Sequence, residues 1–377
     1  MTSVSVIKVK SNKELNKFIK IPWRIYKNDP NWVPPLFIER KLHLAKSNPY
    51  FHHAKAWLWI AYKDGEPVGR ISAQIDRLYE ERHDSKTGHW GLLEAIDSPD
   101  VFRALFNSVE KQLKKEGKER MLGPFNLSIN QECGMLIKGF EYPPFFMMPH
   151  NPTYYPKRLH ELGHTKAKDL IAYSIEKNKA TIDRIQTILG RRLGSLATRP
   201  INKKELEREL DSIFYIFNNA WSQNWGFVPF TRDEYIQMGK SMNLIASPNL
   251  IRISEIDGKP VGFIALLPNL NEIIKDMDGR LFPINWLKLL WRLKFHDFKS
   301  GRVLLMGVLK EYQNSLIGAA ISLSLIRDVM KEILETPMTQ MELSWILEDN
   351  LAMRRIIEGL GAKPYKTYRI YEKALRP

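Results

Sequence analysis

The chain has a single cysteine, Cys133, in 377 residues. An internal disulfide is therefore impossible, and a reducing, cytoplasmic setting is expected. No uncharged apolar run approaches the roughly 20 residues of a membrane span, and no basic-then-apolar leader stands at the start. The nine histidines form no His-Glu-x-x-His motif and the lone cysteine has no partner spacing, so no metal is expected. A Walker loop and a glutamate-rich Nudix-type helix are both missing, which argues against nucleotide hydrolysis. Acid is also scarce. Against 57 Lys and Arg there are 42 Asp and Glu, a net charge of +15. That balance favours an anionic partner: nucleic acid, an anionic membrane face or a polyphosphate-bearing co-substrate. No zinc-finger spacing or homeodomain-like helix supports the first of these.

What is present is a repetition. Asp64-Gly65-Glu66-Pro67-Val68-Gly69 returns as Asp257-Gly258-Lys259-Pro260-Val261-Gly262, and Asn31-Trp32 returns as Asn224-Trp225, each about 193 residues downstream. Lys13-Glu14-Leu15 matches Lys204-Glu205-Leu206, and Leu162-Gly163 matches Leu360-Gly361. Four matches in one order imply a duplicated domain of about 180 residues. The expected division is 1–177, a linker helix over 178–194, and 195–377.

Each half reads the same way. Residues 4–9 alternate as a strand, and Ser11-Asn12-Lys13-Glu14 is a capping box that opens a helix. Residues 196–201 and 205–221 are the second copy's strand and helix. Asp64-Gly65 and Asp257-Gly258, each between apolar runs, predict hairpins because the turn needs positive φ. A third strand and a long helix follow, over 90–96 and 102–115, then over 303–309 and 317–334. A strand, a short helix ending in Leu-Gly and a last strand close each copy. The expected class is α/β, with a mixed, mostly antiparallel sheet flanked by helices in each half.

The second half carries the candidate chemistry. Its strand 303–309 runs into Gln313-Asn314-Ser315-Leu316-Ile317-Gly318-Ala319 and a long helix, whose first amides and macrodipole suit a pyrophosphate. A strand over 342–347 leads to Asn350, a helix reaching Glu358, Leu360-Gly361 and a final strand over 365–371. Together, residues 303–373 resemble the core of the GNAT superfamily of N-acetyltransferases. Gln313 and Gly318 fall on the family's Arg/Gln-x-x-Gly-x-Gly/Ala loop, and Asn350, Glu358 and Gly361 on its Asn…Glu-x-x-Gly helix. With the duplication, the chain is similar to long tandem GNAT-like bacterial proteins.

The resemblance implies an acyl-CoA co-substrate, most simply acetyl-CoA, held by Val308, Leu309, Gln313, Asn314, Ser315, Gly318, Ala319 and Asn350. It implies acyl transfer to a small-molecule or peptide amine, the thioester carbonyl bonding a strand-end amide near Val308 or Leu309. Glu342 is the first choice of base, ahead of Glu348 and Asp349. Tyr368 and Tyr371, with Tyr365 also in reach, are candidates for the acid. The family often has a tyrosine where Ile357 stands and a glycine where Leu316 stands. The first half has Glu94 and Asp97 at the loop position, and reads as a cofactor-free copy.

Three further expectations concern partners. The basic, aromatic stretch 284–298 is a candidate helix for a membrane surface or for gripping a partner helix, its rivals being a helix packed across the domain interface and a substrate lid. Residues 147–156 are a candidate substrate wall, or a proline-locked structural turn. Two rival functions are an aminoacyl-tRNA-dependent Fem-type transferase, which the net charge would suit, and a non-catalytic CoA-binding sensor or scaffold.

Overall fold

The computed structural model describes residues 4–190 and 195–375. In the first repeat, strand β1 (Ser5–Lys8) leads to helix α1 (Asn12–Ile25), whose Ser11–Glu14 capping box forms as the sequence predicts. The hairpin is β2 (Ala54–Lys63) and β3 (Glu66–Asp76), followed by β4 (Thr87–Ala95), α2 (Pro99–Lys115), β5 (Arg120–Gly123), α3 (Tyr155–Glu161) and β6 (Thr165–Glu176). Helix α4 (Lys179–Leu189) precedes the second repeat. That repeat runs β7 (Leu196–Pro200), α5 (Leu206–Ala220), β8 (Ile251–Ile256), β9 (Lys259–Pro268), α6 (Asn285–Phe295), β10 (Ser300–Val308), α7 (Leu316–Leu334), β11 (Gln340–Leu347), α8 (Leu351–Gly359) and β12 (Lys363–Ala374). Both hairpin turns have positive φ at the Asp and the Gly, as Asp-Gly turns require.

Two compact units result. Unit 1 takes in the chain up to Leu170, Ile273–Leu290, and the chain from Lys366 onward. Unit 2 takes in Ile171–Glu272 and Trp291–Tyr365. Their bounds do not follow the repeat. In unit 1 the strand order is β1-β2-β3-β4-β5-β12, with β4 and β5 parallel and Tyr371 of β12 opposite Gly123 of β5. In unit 2 the order is β6-β11-β10-β9-β8-β7, with β10 and β11 parallel. The closing strand of each repeat therefore completes the sheet of the other unit. Helix α4, expected over 178–194 as a linker, sets Ile182, Ile185 and Leu189 into the core of unit 2; residues 191–194 lie outside the described residues.

The repeated glycines have one packing reason. A Cβ on Gly262 would stand 2.7 Å from Ile321 of α7, and one on Gly69 would stand 3.0 Å from Leu105 of α2. Both let the long helix lie close on the hairpin strand, and so fix where its N-terminus falls.

Candidate functional site

In unit 2 the parallel strands β10 and β11 pair from Ser300↔Gln340 to Val303↔Leu343. Beyond that point β10 stays with β9 as far as Gly262↔Val308, while β11 leaves it. The result is a wedge-shaped opening between two parallel strands.

At its throat lies a buried polar network. Arg302 and Glu342 are register partners and are nearly inaccessible, at 2% and 0%. Arg302 Nε donates to Ser344 Oγ (2.9 Å) and lies 3.6 Å from Glu342 Oε1; Ser344 Oγ donates to that same oxygen (2.7 Å). The other carboxylate oxygen accepts from the Tyr365 hydroxyl. The guanidinium also stacks 5.1 Å from the Trp345 ring centroid. Such a pair is tolerable inside a protein because each charge is both neutralised and hydrogen-bonded. Glu342, the first choice of base by sequence, is buried. Arg302 and Ser344 were missed, although an arginine at the head of an apolar strand is the available signal.

The end of β10 presents its amides alternately. Leu309 N–H donates to Val261 O (2.9 Å), so it is committed to β9. Antiparallel alternation turns the Val308 N–H to the other edge, the one β11 has left. Trp221 Nε1 and Gln313 Nε2 approach this edge and bond the carbonyls of Met306 (3.1 Å) and Val308 (2.8 Å), groups that a thioester carbonyl does not use. Gln313, expected to touch the cofactor, also bonds Ala220 O through the same Nε2, at 3.0 Å.

The turn into α7 is tightly determined. Asn314 is left-handed at φ 58°, a conformation asparagine tolerates. Ser315 caps the helix by accepting from Gly318 N–H (3.0 Å), and Ala319 N–H bonds Ser315 O (3.1 Å). The first-turn amides of Leu316 and Ile317 point along the axis of a 19-residue helix. A Cβ on Gly318 would meet the Tyr312 carbonyl at 2.1 Å, so only glycine fits this cradle. Leu316 turns its side chain outward, 91% exposed, and does not fill the cradle. The residues present therefore fit a pyrophosphate at the α7 N-terminus and a carbonyl at Val308.

Other candidates divide. Asn350 caps α8 through Met353 N–H (3.2 Å). Glu358 accepts from the Tyr173 hydroxyl (2.6 Å), itself bonded by Arg354 Nε (2.8 Å). Ile357 is buried in the core. Tyr368 and Tyr371 lie on the part of β12 that belongs to unit 1, both buried, with Tyr371 in that unit's core. Tyr365 is the hydroxyl that unit 2 brings to Glu342. A separate opening of about 700 Å³ lies by β7 and β8, lined by Arg199, Glu209 and Glu255, and Arg199 bridges the two glutamates.

In unit 1 the equivalent wedge is occupied by the protein itself. Pairing of β4 with β5 ends at His89↔Leu122, and the 125–126 segment follows so closely that a Cβ on Gly91 would stand 1.7 Å from Phe125 O. Asn126 Oδ1 accepts from Leu92 N–H (2.8 Å), and Tyr155 Oη from Ala95 N–H (2.8 Å). Tyr154 donates to Ala95 O (2.7 Å). The 147–156 stretch is tied into unit 1 by bonds of its own: His150 bonds Asp29 (2.7 Å) and Asn151 the Leu136 backbone. Glu94 is also turned inward, accepting from Tyr26 (2.7 Å) and Tyr155 (2.9 Å) with Arg70 at 3.8 Å. Burial raises its pKa to about 7, against the lowering by Arg70 and the two hydroxyls. Asp97 is held by Arg158.

Among the described residues no group of three or more His, Cys, Asp or Glu is placed to hold a metal, and no helix is long and apolar enough to cross a membrane.

No family model matches the chain. It is 44% identical over 366 residues to protein YghO of Escherichia coli, covering 97% of this chain and 94% of that one. It is 42% identical over 375 residues to the bacterial ceramide synthase of Caulobacter vibrioides, covering 99% and 98%. Among solved structures, a tandem GNAT protein from the clavulanic acid biosynthesis pathway superposes with a TM-score of 0.59 at 11% identity, over 100% of this chain and 99% of that one. That likeness establishes the fold: two GNAT-like domains in tandem.

Proposed function

The chain belongs to the family of protein YghO and the bacterial ceramide synthase and has the tandem GNAT fold, and on that premise we propose that unit 2 transfers a fatty acyl group from acyl-CoA to the amine of a long-chain amino alcohol. The observation that carries the transfer is the wedge between β10 and β11, with an outward amide at Val308 and, at its throat, a buried Glu342 bonded by the half-buried Tyr365. The apolar character of the substrates is supported twice. Ceramide, the product in the Caulobacter relative's name, is by definition an amide of a fatty acid and a long-chain amino alcohol. In this chain, Leu316 and Ile317, in the first turn of α7 at the donor cradle, are exposed apolar side chains, as is Leu351 at the start of α8.

The residues take distinct parts. Leu316 and Ile317 amides and the α7 dipole hold the pyrophosphate. The Val308 N–H bonds the carbonyl oxygen and stabilises negative charge as it develops there. Acyl-CoA supplies the activated thioester, and CoA leaves as the amide forms. The Tyr365 hydroxyl takes the amine's proton as it passes its own to Glu342, the carboxylate it bonds, and CoA departs as the thiolate when the C–S bond breaks. Arg302 pairs with Glu342 and orients it rather than touching substrate.

The test is a full-length assay with sphinganine and palmitoyl-CoA, following release of free CoA thiol and the amide by mass spectrometry. Turnover requiring both substrates is expected. In calorimetry, Gly318→Asp is expected to weaken acyl-CoA binding by more than about 100-fold, since it sets both a Cβ and an anion in a phosphate cradle. Failure of any acyl-CoA to bind would overturn the donor assignment. Binding with turnover on short polar amines alone would overturn the acceptor, and preference for aminoacyl-tRNA would favour the Fem-type reading.

A further inference from the structure

Helix α6 buries none of its residues. Ile284, Leu287, Trp291 and Phe295 recur at helical spacing and are 68%, 52%, 62% and 58% exposed. Phe282, Trp286 and Leu290 are also exposed. This is a continuous apolar, aromatic face open to solvent, where an ordinary surface helix would carry its polar side. We infer that α6 is a docking element for an anionic phospholipid surface, lying in the plane of the headgroups.

Three observations commit the face to lipid. The segment 280–299 holds five Lys and Arg (Arg280, Lys288, Arg292, Lys294, Lys299) against one acid, Asp297, in a chain of net charge +15. The cations flank the stripe. Lys288 and Arg292 follow one edge and Lys294 the other, its ammonium 5.2 Å from the Phe295 ring. Lys288 is paired to the neighbouring Asp276 at 2.6 Å, so Lys294 contributes the more available charge. Trp291 and Phe295, on the stripe, are the side chains that settle at the headgroup level. Lastly, the helix is short. Its 11 residues rise about 16 Å, half the roughly 30 Å of a bilayer core, so it lies on the membrane and does not span it. The inference stands on this face and on no assumption about the acyl acceptor.

The test is co-sedimentation of the full chain with vesicles of phosphatidylcholine alone and of phosphatidylcholine with phosphatidylglycerol. Binding is expected only where phosphatidylglycerol is present, and is expected to fall as salt rises. The exposed-face variant Leu287→Ser/Trp291→Ser should lose about tenfold in vesicle affinity and Lys294→Glu several-fold, both with unchanged melting temperature. Absence of vesicle binding by the wild type, or binding that ignores the double substitution, would overturn the inference. So would a dimer in sedimentation analysis that the double substitution dissolves, which would assign the face to a second copy.

Discussion

Gly69 and Gly262 stand at the same place in the two repeats, and each pairs with the last inward residue of the following strand: Ala95 in one, Val308 in the other. The next amide in each returns to the hairpin strand, Ile96 N–H to Val68 O (3.0 Å) and Leu309 N–H to Val261 O (2.9 Å). The backbone is thus the same, and Ala95 and Val308 direct their N–H groups alike. In unit 1 the Tyr155 hydroxyl accepts that bond. In unit 2 the side chains around the strand end take carbonyls. The protein's own tyrosine in the first copy marks where an acceptor oxygen belongs in the second. Duplication has left one copy filled by its own loops and the other open.

The difference can be broken most severely at the throat. Glu342→Gln leaves the buried Arg302 without its counter-charge, which costs about 3–5 kcal/mol in comparable pairs, and should lower the rate constant by about 100-fold or more. Stability loss alone would confound that reading. Tyr365→Phe retains the ion pair, and should reduce kcat about 10- to 100-fold with the KM for acyl-CoA nearly unchanged. Steady-state kinetics on both variants, with melting curves, separates the two effects. A Tyr365→Phe enzyme with full kcat would remove the hydroxyl from the proton path. As the control in the other unit, Glu94→Gln should leave kcat untouched.

That same Glu94 sharpens the contrast through pH. Its pKa is about 7 in the fold and near 4.5 unfolded, because burial disfavours the anion. A raised carboxyl pKa stabilises through the protonated form. The contribution is whole below about pH 4.5 and is lost as pH climbs to 7, up to about 3 kcal/mol in all. Buried His89 and His164, lowered to about 4 and about 3, act in the opposite sense, withdrawing stability below about pH 6.5. They are common to wild type and Glu94→Gln. The difference in unfolding free energy between those two proteins should therefore change between pH 4.5 and 7 and be flat above. A flat difference throughout would mean that Glu94 stays ionised.

Much of this was legible from local signals. Asp-Gly turns, the Ser11 cap, helical periodicity and the strand–turn–helix around Gly318 each depend on a few neighbouring residues, and each formed where the sequence placed it. What eluded reading was long-range. Nothing in the composition of residues 165–176 or 363–374 says which sheet they join, because exchanged and unexchanged strands bury the same alternating faces. The tyrosines of β12 show the consequence. Tyr365, Tyr368 and Tyr371 are similar by sequence, yet the unit boundary passes between Tyr365 and Lys366, and it is the Tyr365 hydroxyl that bonds Glu342. Gln313 likewise matches a cofactor motif while its amide is spent on two backbone carbonyls.

The smallest expected effect tests whether the filling of unit 1 is structural. Tyr155→Phe keeps the ring, which packs edge-on to Phe102 at 5.4 Å, and deletes only the hydroxyl. Ala95 N–H then loses its acceptor and Glu94 one of its donors. An unsatisfied buried amide costs about 1–3 kcal/mol, which urea unfolding resolves. Acyl-CoA binding should not change, since unit 1 has no glycine cradle and no free first turn at this junction: Pro99 begins α2 directly after Ser98. If the substitution instead created a second acyl-CoA site by calorimetry, the hydroxyl would be a plug in a competent pocket, and the first repeat a silenced transferase rather than a structural one.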